Sequence, residues 1–178
     1  GLNSRGLAQI YIKALCQIKK VIYITYEDCK ENIPDIQNII NKNDGRILYI
    51  NRSQKKYTEQ ILQLCSFASE FKPHDFFFYS FPNDVVGVTS LNILEGKVTR
   101  YQINLTDHAF WLGARCIDKC IEFRDYGANV SVKYRGISKN IIAKLPFYPI
   151  INKDIPFQGF PFRIVNGQKV VFSGGALY

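Results

Sequence analysis

The chain has 178 residues, of which 47% are hydrophobic and 21% are charged. These proportions are those of an ordinary globular domain that buries roughly 70% of its unfolded surface, and they exclude a disordered tail, a collagen-like fibre and a cysteine-rich miniprotein. The 23 Lys and Arg residues outnumber the 15 Asp and Glu residues, which gives a net charge of +8. A basic surface attracts nucleic acid, anionic lipid head groups or phosphorylated substrates, and charge alone does not choose among them.

Strand-like and helix-like segments alternate along the chain. Apolar residues at helical spacing predict helices, whereas short β-branched and aromatic runs predict strands. The predicted helices span 6–18, 34–41, 57–71, 82–94 and, as a short helix, 109–118. The predicted strands span 21–25, 47–50, 75–79, 98–104, 120–123, 141–145 and 169–172, while 127–135 fits neither pattern. This alternation, with continuously apolar strands, predicts an α/β fold: a Rossmann-like, doubly wound, mostly parallel sheet with helices on both faces.

The last part of the chain differs from the rest in composition. A Pro-rich loop over 146–168 suits a linker that leaves a domain formed by 1–145. The predicted strand 169–172 is followed by Gly174 and Gly175, and a strand followed by a Gly-rich turn is how a phosphate-cradling loop begins. We therefore expect 169–178 to be the start of a second α/β domain. The absence of methionine, even at position 1, likewise predicts a processed or excised product.

The cysteines indicate the redox environment of the protein. There are five, an odd number, and several lie in apolar periodic segments, so we expect buried, reduced thiols and a cytoplasmic location. Cys116 and Cys120 would share a face if they lay on a helix. A metal pair would need further ligands, and the chain offers two histidines, so we expect no metal site.

Polar residues follow each predicted strand, on the edge where open parallel sheets bind their ligands. Some, such as Asn83, are of the residue types that cap helix N-termini. The run from Asn104 to Trp111 is harder to explain by capping, because it places the only Trp and one of two histidines directly after a strand. A histidine can exchange a proton near neutral pH, Asp107 can orient it or cap a helix, and Phe110 and Trp111 can wall a pocket for a sugar ring. The alternative, in which the aromatic residues are core and the histidine is a satisfied polar group, stays open.

Three other polar residues are placed by the predicted strands. His74 precedes a strand, at the edge opposite to the one that binds ligands. Arg124 and Arg135 lie near a shared edge and could bind phosphate or carboxylate through both guanidinium nitrogens. An ion pair within the loop, between Arg124 and the adjacent Asp125, explains the presence of Arg124 equally well.

The segment 101–113 (Tyr-Gln-Ile-Asn-Leu-Thr-Asp-His-Ala-Phe-Trp-Leu-Gly), followed by Ile117-Asp118 and by 122–127 (Glu-Phe-Arg-Asp-Tyr-Gly), resembles bacterial GT-B glycosyltransferases. The enzymes in question are retaining, family-4-like transferases of surface polysaccharide assembly. The likeness runs from residue 74 to 178, and it includes the proline–aspartate turn at 81–86, Arg135-Gly136 and Leu145-Pro146.

The resemblance implies one half of a GT-B fold, in which two Rossmann-like domains face each other across a cleft. In such enzymes the C-terminal domain binds the nucleotide sugar and the N-terminal domain mainly binds the acceptor, with no metal ion and no cofactor beyond the nucleotide-sugar co-substrate. Carried over by position, His108 and Asp107 are the candidate catalytic residues. The candidate substrate-binding residues are Asn104, Trp111, Arg124 and Asp84. Gly174 and Gly175 would match the loop that faces the donor diphosphate.

The partners that the resemblance implies are a nucleotide sugar and a glycan or lipid-linked acceptor, with peripheral contact to the anionic inner face of the cell membrane. The 178-residue chain is expected to fold but to transfer no sugar by itself, because it lacks the rest of a diphosphate site. The alternative function is a basic Rossmann-like module that binds nucleic acid or another anionic partner. Because the aromatic residues fall within apolar strands such as 76–79 rather than among Lys and Arg, we expect no nucleic-acid partner.

Overall fold

The computed structural model describes residues 7–26, 34–51, 56–79, 82–104, 106–146 and 156, together with the backbone of 164–165 and 168–169. Helices and strands alternate along these residues. The helices are α1 (Leu7–Leu15), α2 (Pro34–Lys42), α3 (Tyr57–Phe71), α4 (Val85–Ile93) and α5 (Asp125–Arg135). The strands are β1 (Ile22–Tyr26), β2 (Arg46–Ile50), β3 (Asp75–Phe78), β4 (Thr99–Ile103), β5 (Lys119–Glu122), β6 (Ile142–Lys144), β7 (Ile164–Val165) and β8 (Gln168–Lys169). A 3-10 turn, Lys139–Ile141, precedes β6.

The strands from β1 to β6 pair in parallel. β1 pairs with β2, and β3, β4, β5 and β6 form a second sheet in that order. One apolar cluster joins the two sheets, since Ile24 of β1 and Phe76 of β3 both pack on a core that includes Ile50 and Leu64. Helix α1 packs on α2, and α3 packs on α4. The fold is therefore α/β with parallel sheets, consistent with the predicted Rossmann-like, doubly wound architecture.

The parallel direction of the strands decides where the candidate residues meet. Each of β3, β4 and β5 ends at the same edge of the four-stranded sheet, which we call the carboxyl edge. Asn104 follows β4 and donates its backbone N–H to the carbonyl of Ile121, 3.0 Å away, at the end of β5. The segments after β4 and β5 are thus adjacent at the point where ligands bind in parallel sheets.

An ion pair fastens the opposite, amino edge of the same sheet. Arg100 of β4 is 4% exposed, and its guanidinium donates from Nε and Nη2 to the two carboxylate oxygens of Asp118, at 3.0 and 2.8 Å. The backbone N–H of Arg100 donates to the same carboxylate at 2.8 Å. Asp118 lies just before β5, so this pair joins β4 to the segment that leads into its neighbour.

The structure corrects two predicted elements. The predicted helix over 109–118 is wrong: turns and bends occupy these residues, and Gly113 has a φ of +92°, where an added Cβ would be 2.9 Å from Val88 Cγ2. Trp111 and Ile117 nevertheless reach one apolar cluster. The unassigned stretch 127–135 belongs to α5. Gly136, in the left-handed conformation, ends this helix, and Ile137 donates its N–H to the backbone carbonyl of Ser131.

The cysteines are free thiols at all four described positions, Cys16, Cys65, Cys116 and Cys120. The helix that would place Cys116 and Cys120 on one face is absent, because Cys116 lies in the turn region and Cys120 is buried in β5. Burial raises the pKa of the Cys120 thiol, and the nearby Glu122 raises it further. Cys120 is therefore a neutral hydrogen-bond donor.

The end of the predicted domain is only partly described. At the end of the predicted linker 146–168, β7 pairs antiparallel with β8, Ile164 with Lys169 and Val165 with Gln168, so that β8 reaches the first residue of the predicted strand 169–172. The remainder of the predicted strand 169–172, and both Gly174 and Gly175, lie outside the described residues.

Candidate functional site

A buried carboxylate organises the carboxyl edge. Glu122, the last residue of β5, is 1% exposed. The Asn104 side-chain amide donates to both of its oxygens at 3.0 Å, Ser131 of α5 donates its hydroxyl, and Cys120 donates its thiol at 3.5 Å. Burial of a carboxylate is tolerated when such donors replace water. Glu122 thereby connects the end of β5 with α5 and with the segment after β4.

The lack of a side chain at Gly127 makes room for this carboxylate. Gly127 lies in the first turn of α5 and is buried. A Cβ added there would be 2.6 Å from Glu122 Oε2 and 3.3 Å from the Cβ of Asp107. Only glycine lets the helix approach the two acidic side chains this closely.

Arg135, the last residue of α5, joins the same network. Its Nη1 donates to the Ser131 hydroxyl at 3.0 Å, and its Nη2 is within 2.6–3.1 Å of the carbonyl oxygens of Thr106, Asp107 and Ala109. The guanidinium carbon lies 5.5 Å from the centre of the Trp111 ring, a distance that allows a cation–π contact. One side chain thus contacts most of the irregular segment that follows β4.

Asp107 and Arg124 form an ion pair across the two strand ends. Arg124 donates from Nε and Nη2 to the two carboxylate oxygens of Asp107, at 2.6 and 2.9 Å. These hydrogen bonds lower the pKa of the Asp107 carboxyl, with a further contribution from the positive charge of Arg124. The sequence left open an ion pair between Arg124 and Asp125, but Asp125 contacts Lys144 instead, at 2.6 Å.

The His108 side chain projects into solvent from the segment after β4 that Arg135 contacts. The side chain of His108 is 71% exposed, and its Nδ1 lies 3.8 Å from Asp107 Oδ1. The backbone beneath it is held by Arg135 through the carbonyls of the residues on either side of His108, Asp107 and Ala109. The edge therefore presents an accessible imidazole, beside a carboxylate, on a constrained backbone.

An open, mainly apolar depression of about 380 Å³ lies beside Arg135. It lies between the start of α4 and the turn region that follows β4. Its lining includes Val85, Val88, Phe110, Trp111 and Arg135. Phe110 is 76% exposed, whereas Trp111 is 4% exposed and packs in the apolar core. Trp111 contributes to the floor of this depression, and its indole N–H has no hydrogen-bond partner among the described residues.

The remaining candidate residues have structural contacts of their own. Asp84, proposed to bind substrate, caps α4 by accepting from the N–H of Gly87 at 2.8 Å, and it also accepts from the Tyr26 hydroxyl at 3.4 Å. The cap of α4 is therefore Asp84 rather than the predicted Asn83. His74 lies at the amino end of β3, exposed beside Asp75.

The structure brings together Asn104, Asp107, His108 and Arg124. Asp84 instead caps α4, and Trp111 lies in the core, where it lines the depression. Their binding of substrate stays a prediction. The sequence analysis missed Glu122 and Ser131, and it gave Arg135 no role in shaping the segment after β4. An acidic residue at the end of an apolar strand was the available signal for Glu122, because a charge in that position must find partners.

A comparison of the chain with known protein families, with curated proteins and with solved structures found no match. Among the described residues, no helix is long and apolar enough to cross a membrane. Within the same residues, no cluster of His, Cys, Asp and Glu is arranged to hold a metal ion.

Proposed function

We propose that this chain is the acceptor-side Rossmann-like domain of a retaining, metal-independent glycosyltransferase. The reaction would move a sugar from a nucleotide sugar to a glycan or lipid-linked acceptor in surface polysaccharide synthesis. The observation that carries the proposal is the exposed imidazole of His108 at the carboxyl edge, on a segment whose carbonyls are bound by Arg135. The sequence resemblance to GT-B enzymes falls on this segment.

The chemistry of glycosyl transfer suits such an edge. The reaction needs a positioned acceptor hydroxyl and stabilisation of charge as the diphosphate departs. In the proposal, His108 hydrogen-bonds the donor sugar or the reacting centre, and the Asp107 carboxylate lies beside it. Arg124 neutralises Asp107 and remains exposed to an anionic substrate.

The depression lined by Phe110 and Arg135 supports an acceptor-binding role. Sugar rings present apolar C–H faces that pack on aromatic side chains, and the exposed ring of Phe110 supplies such a surface there. Val85 and Val88 of α4 extend the apolar lining. A lipid-linked acceptor would find both an apolar surface and, in a chain of net charge +8, an attraction for its phosphates.

The test uses the product of the full open reading frame that encodes this sequence. It is incubated with UDP-glucose, UDP-galactose, UDP-N-acetylglucosamine or GDP-mannose and with a lipid extract of the source cells, and release of nucleoside diphosphate is measured. We expect release from at least one donor, and a product whose anomeric proton coupling shows the configuration of the donor. No release from any donor above the rate without protein would contradict the proposal, and an inverted product would contradict its retaining mechanism.

A further inference from the structure

The segment 106–109 needs partners for its backbone carbonyls, because it belongs to neither a strand nor a helix. Backbone carbonyls that are withdrawn from water must be paired elsewhere. Arg135 supplies this pairing for Thr106, Asp107 and Ala109 from a single nitrogen, Nη2. At the start of the segment, Asn104 Oδ1 accepts from the N–H of Thr106 at 3.2 Å.

Arg135 is itself held in place on two sides. Ser131, one helical turn earlier, accepts from Nη1 and donates to the buried carboxylate of Glu122. On the other side, the guanidinium lies over the Trp111 ring. The same carboxylate accepts from Asn104, so Asn104 is fixed to Glu122 directly and Arg135 is fixed to it through Ser131.

The contacts of residue 135 require an arginine and could not be made by a lysine. A planar guanidinium presents several N–H groups in fixed directions and stacks on an aromatic ring, whereas a lysine ammonium is a compact charge on a flexible stem. A lysine at this position could neutralise charge but could not contact the Ser131 hydroxyl and three carbonyls while covering Trp111.

We propose that Arg135 is a positioning residue, which fixes the backbone of 106–109 so that His108 presents its imidazole at the carboxyl edge. The role in a reaction rests on the proposed function, but the fixing of the segment does not, and the two can be measured separately. Arg135 would act through the segment and need not touch the substrate.

The structural part is tested in the 178-residue chain with Arg135→Lys and a matched control, Arg46→Lys. Arg46 also lies over an aromatic ring, that of Phe71, but at the amino end of β2. Thr106 and Ala109 donate their N–H groups to Asn104 Oδ1 and to the Thr106 carbonyl. Hydrogen exchange of these two amides is expected to be about tenfold faster in Arg135→Lys, because a segment whose carbonyls have lost Arg135 opens at a cost lower by about 1.4 kcal/mol. The control should leave these amides within about twofold of the unaltered chain.

A second readout comes from Trp111, the only tryptophan of the chain. Its fluorescence emission should shift to longer wavelength in Arg135→Lys, because a loosened segment admits water to the buried indole, and should not shift in Arg46→Lys. Unchanged exchange and emission in Arg135→Lys, or equal changes in both variants, would overturn the proposal. If Arg135→Lys does not fold, Ser131→Ala provides the milder change, and it must accelerate exchange of the Thr106 and Ala109 amides more than that of the amides of β4 and β5.

The catalytic part is tested in the full open reading frame product with its active donor. Small displacements of reacting groups can cost about 100-fold in rate, so we expect Arg135→Lys to lower kcat at least about tenfold while the KM for the donor changes little. Faster exchange with unaltered kcat would overturn the positioning role. If the unaltered protein releases no nucleoside diphosphate, the proposed function fails, and the exchange experiment alone decides whether Arg135 fixes the segment.

Discussion

A methyl group added at Gly127 tests the buried network at the carboxyl edge. In Gly127→Ala the new Cβ would be 2.6 Å from Glu122 Oε2, closer than real Cβ contacts, so the carboxylate must move. Its freedom to move is limited, because Asn104 and Ser131 both donate to it. The variant therefore weakens hydrogen bonds that the fold uses to bury a charge.

Two opposing contributions set the size of the effect. Alanine in place of glycine within a helix favours the folded state by about 1 kcal/mol. Loss of one or two hydrogen bonds to a charged group costs about 1.5–3 kcal/mol each. The free energy of unfolding should therefore fall by about 0.5–5 kcal/mol, which for a domain of this length lowers Tm by roughly 1–20 °C.

The assay is urea unfolding followed by far-UV circular dichroism, in a double-mutant cycle with Glu122→Asp. The aspartate carboxylate is one methylene shorter and withdraws from Gly127. If the clash with Glu122 causes the loss, Gly127→Ala should cost less than about half as much in the Glu122→Asp background. An equal cost in both backgrounds, or a stabilised single variant, would refute this reasoning.

Three further predictions concern stability. Asp118→Ala should lower the free energy of unfolding by about 1–3 kcal/mol in denaturant titrations, because the buried Arg100 guanidinium loses its hydrogen bonds to Asp118 and keeps Glu95, 3.7 Å away. Arg100 lowers the pKa of Asp118 in the folded state, so the difference between Asp118→Ala and the unaltered chain should be full above pH about 4 and shrink as the pH falls further; a constant difference would contradict the ion pair. Asp84→Ala should cost about 1 kcal/mol by removing the cap of α4, and a Tm unchanged in that variant would contradict the capping role.

Much of the fold follows from local sequence patterns. The predicted helix over 57–71 is confirmed at both ends, and Pro34 begins α2 as its fixed φ favours. Helix α5 was not predicted, because the residues that it buries are Gly127 and Ser131 and its inner face therefore carries no apolar stripe. The opposite error is at 109–118, where turns rather than a helix bring Trp111 and Ile117 into one apolar cluster.

The sequence predicted where the candidate site lies, but not which side chains contact one another within it. The sequence predicted that Asn104, Asp107 and His108 follow a strand at the edge that binds ligands, and the structure has them there. It could not show that Asn104 faces inward to Glu122, or that Arg124 pairs with Asp107 across 17 residues. These contacts depend on strand register and on the approach of α5, which no local pattern encodes.

The two histidines of the chain allow the most direct test of the proposed site. Both are exposed and both have an adjacent carboxylate, but His108 is at the carboxyl edge and His74 at the amino edge. In the full open reading frame product, His108→Ala should reduce nucleoside diphosphate release from the active donor by at least about 100-fold. His74→Ala should leave it within about twofold. Equal rates in the two variants, or a His108→Ala protein as active as the unaltered one, would contradict the assignment of the carboxyl edge as the reactive site.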